Sequence, residues 1–356
     1  MDSYVQTLAH NYQKAVNQEI SGEIAGLSQD RFLALYDPEK NWVIGPFIKR
    51  DDLTFLKKVQ MPDPTGIEWT SSSIFNPSVL IEGEKIYLFY RASVKKESLG
   101  SRIGGAVYAP GYGWTENPRN PIIYPTELNE ILSCEDPKVY RFTNEDTGET
   151  EFVMFYNAAW EADDELVEKY EKPFGNLACD INYAFSTDLV NWKKSGLVVP
   201  HEISRLWAKG AVIPRGGDGS AVKIDGHYMM FISEGCGLKQ VVGRSTNMRD
   251  WTFEYREYLS LPPSMGIEIY EIACAIVNGE YLVMDFLYRN NDEEHAGGQA
   301  LFRLNDPLQV LDFTSNSTLA WGGMSKYENR WLFAQGWDAP NGKEEIYFYE
   351  ALISQE

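Results

Sequence analysis

The chain has 356 residues, 44% of them hydrophobic, enough for a large core in one domain or two. Its formal net charge of −20 argues against nucleic acid and anionic membrane surfaces as partners, because their phosphates would repel it. The four cysteines, Cys134, Cys179, Cys236 and Cys274, are scattered with no C-x-x-C pair, which argues against a disulfide framework or zinc centre and fits a reducing compartment. The N-terminus shows no charged region followed by an apolar core, and no apolar run approaches the roughly 20 residues of a membrane span. The expected location is therefore the cytoplasm, and no cofactor or metal is expected.

The first segment, residues 1–36, reads as a helical extension. Val5, Leu8, Tyr12, Ala15, Val16 and Ile20 recur at helical spacing, and Gly22 and Gly26 punctuate the end. This helix packs on the rim of the following domain or on a second subunit, which makes it the surface for any homo-oligomer. From residue 37 to 356 the pattern changes to short strands, in keeping with 13% aromatic residues. Trp42-Val43-Ile44 and Leu53-Thr54-Phe55 are strand cores that lead in and could complete the last sheet, since sharing strands between chain ends removes free edges.

One phrase then recurs five times: an opening motif, a short apolar run, a Gly or Asn turn and an aromatic-rich strand. The copies begin at Asn76-Pro77, Asp136-Pro137, Asp218-Gly219, Glu271-Ile272 and Trp321-Gly322. Repeats of several short strands are the signature of a β-propeller, so the expected fold is all-β, a five-bladed β-propeller with an N-terminal helical extension. Blade one spans about 74–124, blade two 135–200, blade three 208–259, blade four 269–313 and blade five 320 to the end. Blade two carries an acidic insertion, Glu161 to Lys172, that lacks strand alternation and reads as a lid, short helix or exposed loop. Ser186-Thr187-Asp188-Leu189 with Trp192 matches Ser245-Thr246-Asn247-Met248 with Trp251, and both tryptophans are expected between neighbouring blades.

A propeller gathers the starts of its inner strands around one funnel, so Asn76, Asp136, Asp218 and Glu271 are expected to meet there. Clustered carboxylates suit glycoside chemistry, which needs a proton donor at the leaving oxygen and a nucleophile or base opposite. Asp136, Asp218 and Glu271 are the catalytic candidates, with Asn76 and Glu135 beside them for substrate binding. Arg91, Glu234 and Asp285 lie near the ends of second strands. Arg91 is either a structural ion-pair partner or a clamp on a hydroxyl or phosphate. Asp285 sits in an apolar strand, where a carboxylate must be paired or functional. Trp160 and Trp337 are candidates for stacking on a sugar face, or for core packing.

At these residues the chain resembles the five-bladed propeller glycosidases, above all the mannoside phosphorylase and β-mannosidase family, glycoside hydrolase family 130. The resemblance runs from about residue 70 to the end. It rests on Phe75-Asn76-Pro77 with Phe89-Tyr90-Arg91-Ala92, on Glu135-Asp136-Pro137-Lys138, on Ser186-Thr187-Asp188-Leu189 with Trp192, and on Lys209-Gly210-Ala211-Val212-Ile213-Pro214. It implies that Asp136 is the proton donor and that Lys209 contacts phosphate in the manner of the phosphorylases. The family's Glu-Asp-Pro-Arg is Glu-Asp-Pro-Lys here. Where phosphorylases carry further basic residues, this chain reads Asp180-Ile181-Asn182-Tyr183 and Ile232-Ser233-Glu234, without a cation. Phosphate needs concentrated positive charge, so the expectation tilts to a hydrolase acting on mannosides or related short oligosaccharides, with Glu234 or Glu271 activating water. A phosphorylase using inorganic phosphate is the alternative, and a propeller that only binds carbohydrate or a protein partner is a third. A secondary likeness, to the arabinosidase and xylosidase family 43, rests on Asp218 through Tyr228 and on Ser233-Glu234-Gly235. It would make Asp218 the acid, but Asn76 stands where that family needs an Asp base.

Overall fold

The computed structural model describes residues 2–19, 37, 39–57, 66–70, 73–293, 295–315, 322–336 and 344–352. Two short strands come first, β1 (Phe47–Lys49) and β2 (Phe55–Leu56). Blade one is β3 (Ser73–Glu82), β4 (Lys85–Ser93), β5 (Arg102–Ala109) and β6 (Gly113–Glu116). Blade two is β7 (Ser133–Thr143), β8 (Thr150–Glu161), β9 (Leu177–Ser186) and β10 (Lys193–Leu197). The inner strand of blade three is split. Its first piece, β11 (Ala208–Lys209), is far along the chain from its second, β12 (Lys223–Ile224). The blade continues through β13 (His227–Ile232), β14 (Glu234–Gly235), β15 (Val241–Ser245) and β16 (Thr252–Tyr255). Blade four is β17 (Gly266–Asn278), β18 (Tyr281–Asn290), β19 (His295–Arg303) and β20 (Asp306–Thr314). Blade five is β21 (Gly323–Tyr327), β22 (Arg330–Gln335) and β23 (Glu345–Ala351), completed by β1 and β2, which both pair with β23. The two ends of the chain thus share one sheet, and the ring closes.

Among the described residues the main apolar clusters are five, one in each seam between blades. Side chains alternate across a strand, so each blade sends every second residue to one neighbour and the rest to the other. Val153 and Phe155 pack toward blade three, while Met154 and Tyr156 pack toward blade one. Met229 and Phe231 join the seam with blade four, and Met230 and Ile232 the seam with blade two. This double burial explains why the second strands read as unbroken apolar runs rather than as alternating ones. Trp192 meets Phe89 of blade one edge-on, and Trp251 meets Phe155 of blade two in the same way. Each sits behind a Ser–Asp or Ser–Asn turn whose side chains accept backbone N–H groups.

The N-terminal helix, Asp2–Asn17, lies on the rim: Leu8, Tyr12 and Ala15 are buried, with Ile67, Val94 and Ile131 in the same apolar cluster, and Ala15 close to Gly100. The acidic insertion forms a short helix, Asp164–Lys169, capped by Asp163. Among the described residues no helix is long and apolar enough to cross a membrane.

Between the two halves of blade three's inner strand, residues 213–222 run across the propeller axis. The Arg215 backbone N–H bonds Ala275 O, and Arg215 O accepts from Val277, both in blade four. Its guanidinium donates to Val79 O of blade one, at 3.1 Å, and to Met324 O of blade five. Gly219 O and the Ala221 N–H pair with Arg141 of blade two, and Gly217 O accepts from Lys326 of blade five. One loop therefore bonds all four other blades.

Candidate active site

The inner strands of blades one and two each contain a β-bulge at the opening motif. Register shifts between Phe75 and Ser78, and between Glu135 and Lys138. Asn76 and Asp136 occupy the bulges with φ of 46° and 50°, a left-handed conformation that Asn and Asp tolerate better than most residues. Pro77 and Pro137 follow at unpaired positions, where a missing N–H costs nothing. The bulges turn both side chains toward each other, and Asn76 Nδ2 donates to Asp136 Oδ1 at 2.5 Å.

Asp136 is the hub of a buried polar cluster. Arg91 Nη1 donates to its Oδ1 at 3.1 Å and Asn157 Nδ2 to its Oδ2 at 2.9 Å, while Lys209 Nζ stands 3.8 Å from Oδ2. Glu135 bridges the same two cations, accepting from Arg91 Nη2 and from Lys209 Nζ, each at 2.9 Å. Arg91 is fixed from behind by Ser101 Oγ and Ser98 O. Burial alone would push the Asp136 carboxyl up. Arg91 and Lys209, with the Asn76 hydrogen bond, override it and hold Asp136 below the usual carboxylate range.

A second acidic group faces this hub. Asn76, Asp136, Lys138 and Glu271 line one narrow axial space. Glu271 is buried, with Lys138 Nζ 3.4 Å from Oε1, and that oxygen accepts no hydrogen bond. Gly210, at φ +68° between the paired Lys209 and Val212 of blade three, makes room for it: a Cβ there would lie 2.6 Å from Glu271 Cγ. Burial raises Glu271 above its usual range against the pull of Lys138. Glu234 lies beyond, accepting from Trp207 Nε1 at 3.3 Å. Burial pushes Glu234 up to about 7, opposed by Lys209 and assisted by the Glu271 charge. The site thus holds an ionised carboxylate among cations beside two carboxyls that resist ionisation, an arrangement able to divide acid and base roles.

Asn76, Arg91, Glu135, Asp136, Lys209, Glu234 and Glu271 are therefore brought together. Asp218 is not. Its carboxylate is half exposed and bonds Arg141 at 2.7 Å and Ser220, at the far ends of the inner strands. The opening position of blade three is Gly210, two residues before the Val212 that pairs with Phe231, just as Asn76 and Asp136 stand two before the partners of Phe89 and Phe155. Asp285 is buried with Gln299 Nε2 at 3.0 Å, and that Gln also clasps both backbone groups of Ile44, so Asp285 fastens the N-terminal segment to blade four. Trp160 donates to Asp180 at 3.0 Å and stacks on His201, packed beside the insertion helix rather than open to the funnel. Trp337 lies outside the described residues.

Lys138, Asn157 and Trp207 belong to the cluster without having been singled out. The signal for Asn157 was present: it stands two residues after Phe155, as Arg91 stands two after Phe89. Lys138 was visible inside the Glu-Asp-Pro-Lys motif, as the residue that replaces the family's Arg.

The profile of a family described as β-1,4-mannooligosaccharide phosphorylase, glycoside hydrolase family 130, matches residues 44–231. A β-1,2-mannobiose phosphorylase of Thermoanaerobacter sp. (strain X514) is 27% identical over 180 residues, 46% of this chain and 48% of that protein; the match spans about half the length of this curated relative. Among solved structures, one described under the heading that the family of mannoside phosphorylases contains glycoside hydrolases targeting β-1,2 mannosidic linkages in Candida mannan superposes with a TM-score of 0.67. It is 19% identical and covers 88% of this chain and 97% of its own. The β-1,2-mannobiose phosphorylase of Listeria innocua, solved with β-1,2-mannobiose, gives a TM-score of 0.61 at 15% identity, covering 85% and 96%. Nothing in these matches supports the family 43 likeness, which rested on Asp218. The propeller, its Glu-Asp-Pro bulge and the profile match over more than half of the sequence agree: the chain belongs to glycoside hydrolase family 130.

Proposed function

We propose that this protein cleaves β-mannosidic bonds in short oligosaccharides, with Asp136 as proton donor and water as the acceptor. The observation that carries the reading is the meeting of Asp136 with Glu271 and Glu234 at one end of the axis. A proton passed to Asp136 from Glu234 or Glu271, which burial keeps protonated, is given to the leaving oxygen as the bond from that oxygen to the anomeric carbon breaks. Water attacks the carbon and yields its proton to Glu234 or Glu271. Asn76, Arg91 and Asn157 orient the Asp136 carboxyl, and Lys209 reaches toward it across Glu135.

Phosphorolysis is the second reading. The family description and the curated relative favour it, and so does one feature of the site. Asp136 is held ionised by Arg91 and Lys209. An inorganic phosphate that drew those cations to itself would let Asp136 take up the proton it must deliver. Against this, Arg91 and Lys209 are already paired with Glu135 and Asp136, which offsets their charge and leaves little net positive charge for a dianion.

Purified protein should be incubated with β-1,2- and β-1,4-mannobiose with and without phosphate. Hydrolysis predicts free mannose at a rate indifferent to phosphate, with Asp136→Asn slower by about 10²–10⁴-fold. Mannose 1-phosphate formed only with phosphate would establish the second reading. Saccharide binding without turnover would reject both.

A further inference from the structure

The acidic insertion of blade two takes no part in the proposed chemistry, yet it is built against the active site. Its ends are clasped: the Ala162 N–H bonds Asn176 O at 2.9 Å, and Asn176 Nδ2 returns to Ala162 O at 3.0 Å. Leu166, Val167 and Tyr170 of the insertion share one apolar cluster with the fully buried Leu206.

Leu206 stands between the short helix His201–Ser204 and Trp207. Arg205 and Leu206 have φ of 52° and 61°, two left-handed residues in a row, neither of them Gly, Asn or Asp. Strain of this kind persists only where the surroundings over-determine it, and it gathers at working sites. Here the surroundings are the insertion over Leu206 and two backbone bonds, from the Cys179 N–H to Leu206 O at 3.0 Å and from the Cys236 N–H to Trp207 O at 2.7 Å. Gly235 supplies the clearance, since a Cβ on it would lie 2.1 Å from Trp207 O.

What the strained turn delivers is the indole of Trp207. Its Nε1 donates to Glu234 Oε1 at 3.3 Å. Lys172 Nζ of the insertion lies 5.3 Å from the ring centre and Lys209 Nζ 5.8 Å, so the ring attracts a cation from the insertion as well as one from the site. Glu234 also faces Lys209 of β11, Glu271 of β17, Asp136 of β7 and the buried Cys179 thiol of β9. A donor on a carboxylate favours its ionised form. Trp207 therefore works with Lys209 against burial and the neighbouring acids.

We propose that Trp207 is a positioning residue for the reaction: the insertion and the strained turn beneath it hold the indole on Glu234, so that this carboxyl can ionise and take the proton of the attacking water. The inference rests on the hydrolase reading and gives the base role to Glu234.

The test is kcat/KM against pH on β-mannobiose for the wild type, Trp207→Phe, Lys172→Met and the double variant. Phenylalanine keeps a ring and removes the donor. The pH at which the wild-type profile turns down, about 7, should move up in Trp207→Phe. A move of about half a unit or more lowers the level stretch by the same factor, about threefold or more. Above the turn the two profiles should merge, because Glu234 is ionised in both. Lys172→Met should show the same pattern at about twofold, and the double variant should be no slower than Trp207→Phe. Rates lowered equally at every pH, or a turn that stays in place, would overturn the inference. If no saccharide is hydrolysed, the hydrolase reading fails by itself and the carboxyl is followed directly. The side-chain ¹³C resonance of Glu234, identified by its loss in Glu234→Gln, should titrate higher in Trp207→Phe than in the wild type; an unmoved midpoint rejects the role of Trp207. Lys172→Met alters a half-buried side chain of the insertion and decides the same titration, by the same two outcomes, where Trp207→Phe does not fold.

Discussion

In the proposed reaction Asp136 donates a proton, yet its neighbours hold it ionised, while Glu234 beside it is pushed up to about 7. The reaction needs Asp136 protonated and the water-activating Glu234 ionised, so kcat/KM for hydrolysis should stay level on the acid side of about 7 and fall above it, where Glu234 is already ionised and protonated Asp136 keeps declining; Glu234→Gln should abolish the level stretch. The same residue sets a stability slope. Its pKa is raised in the native state, so the folded protein keeps a proton that the unfolded chain gives up. Its contribution is full below the ordinary glutamate value and is lost as pH rises toward 7. Chemical denaturation of wild type against Glu234→Gln over that window should show a shallower fall in the variant. At this scale the sequence was legible where a motif announced the residue, as with Glu135-Asp136-Pro137. Asp285 shows the limit. A carboxylate in an apolar strand had to be paired or functional, and only the position of Gln299 and Ile44 could say which.

The bulge is the element that makes the site. It turns Asn76 and Asp136 off the strand axis, and in blade three, where the register is kept, the glycine at the matching position leaves the gap that Glu271 fills. Gly210→Ala should therefore displace Glu271, both through a left-handed backbone unsuited to alanine and through a contact of 2.6 Å with Glu271 Cγ. We expect kcat to fall by more than tenfold with a loss of about 1–3 kcal/mol in stability, measured by kinetics and urea denaturation on one preparation. The strands of blades one and two were readable to within a few residues because alternate burial in two seams leaves long apolar runs. Blade three was not. Asp218-Gly219-Ser220 has the composition of an opening motif, but it forms a turn in which Asp218 Oδ1 accepts from the Ser220 N–H. Turn chemistry and bulge chemistry draw on the same few residue types, so the phrase alone could not separate them. The spacing from Gly210 to Val212 and its partner Phe231 does.

Across the whole molecule, five seam cores and one shared sheet account for closure; the five repeats foretold the blades, and the lead-in segment foretold the shared sheet, although its strands fall at Phe47–Lys49 and Phe55–Leu56 rather than at Trp42-Val43-Ile44 and Leu53-Thr54-Phe55. The loop at 213–222 was not foretold, because its bonds are almost all to backbone groups that any sequence offers. Arg215 is its anchor, buried and bonded to carbonyls of blades one and five. Arg215→Ala would take the guanidinium from Met324 O, while Val79 O keeps Ser325 Oγ, at about 1–3 kcal/mol, and should lower Tm by several degrees in a thermal melt while leaving the Asp136 cluster intact. A ring of blades held only edge to edge could open at any single seam. Here the strap pins every neighbour to one short stretch of chain, so a protease that nicked it between Gly216 and Gly217 should loosen all five seams together, much as pulling one drawstring slackens a whole purse.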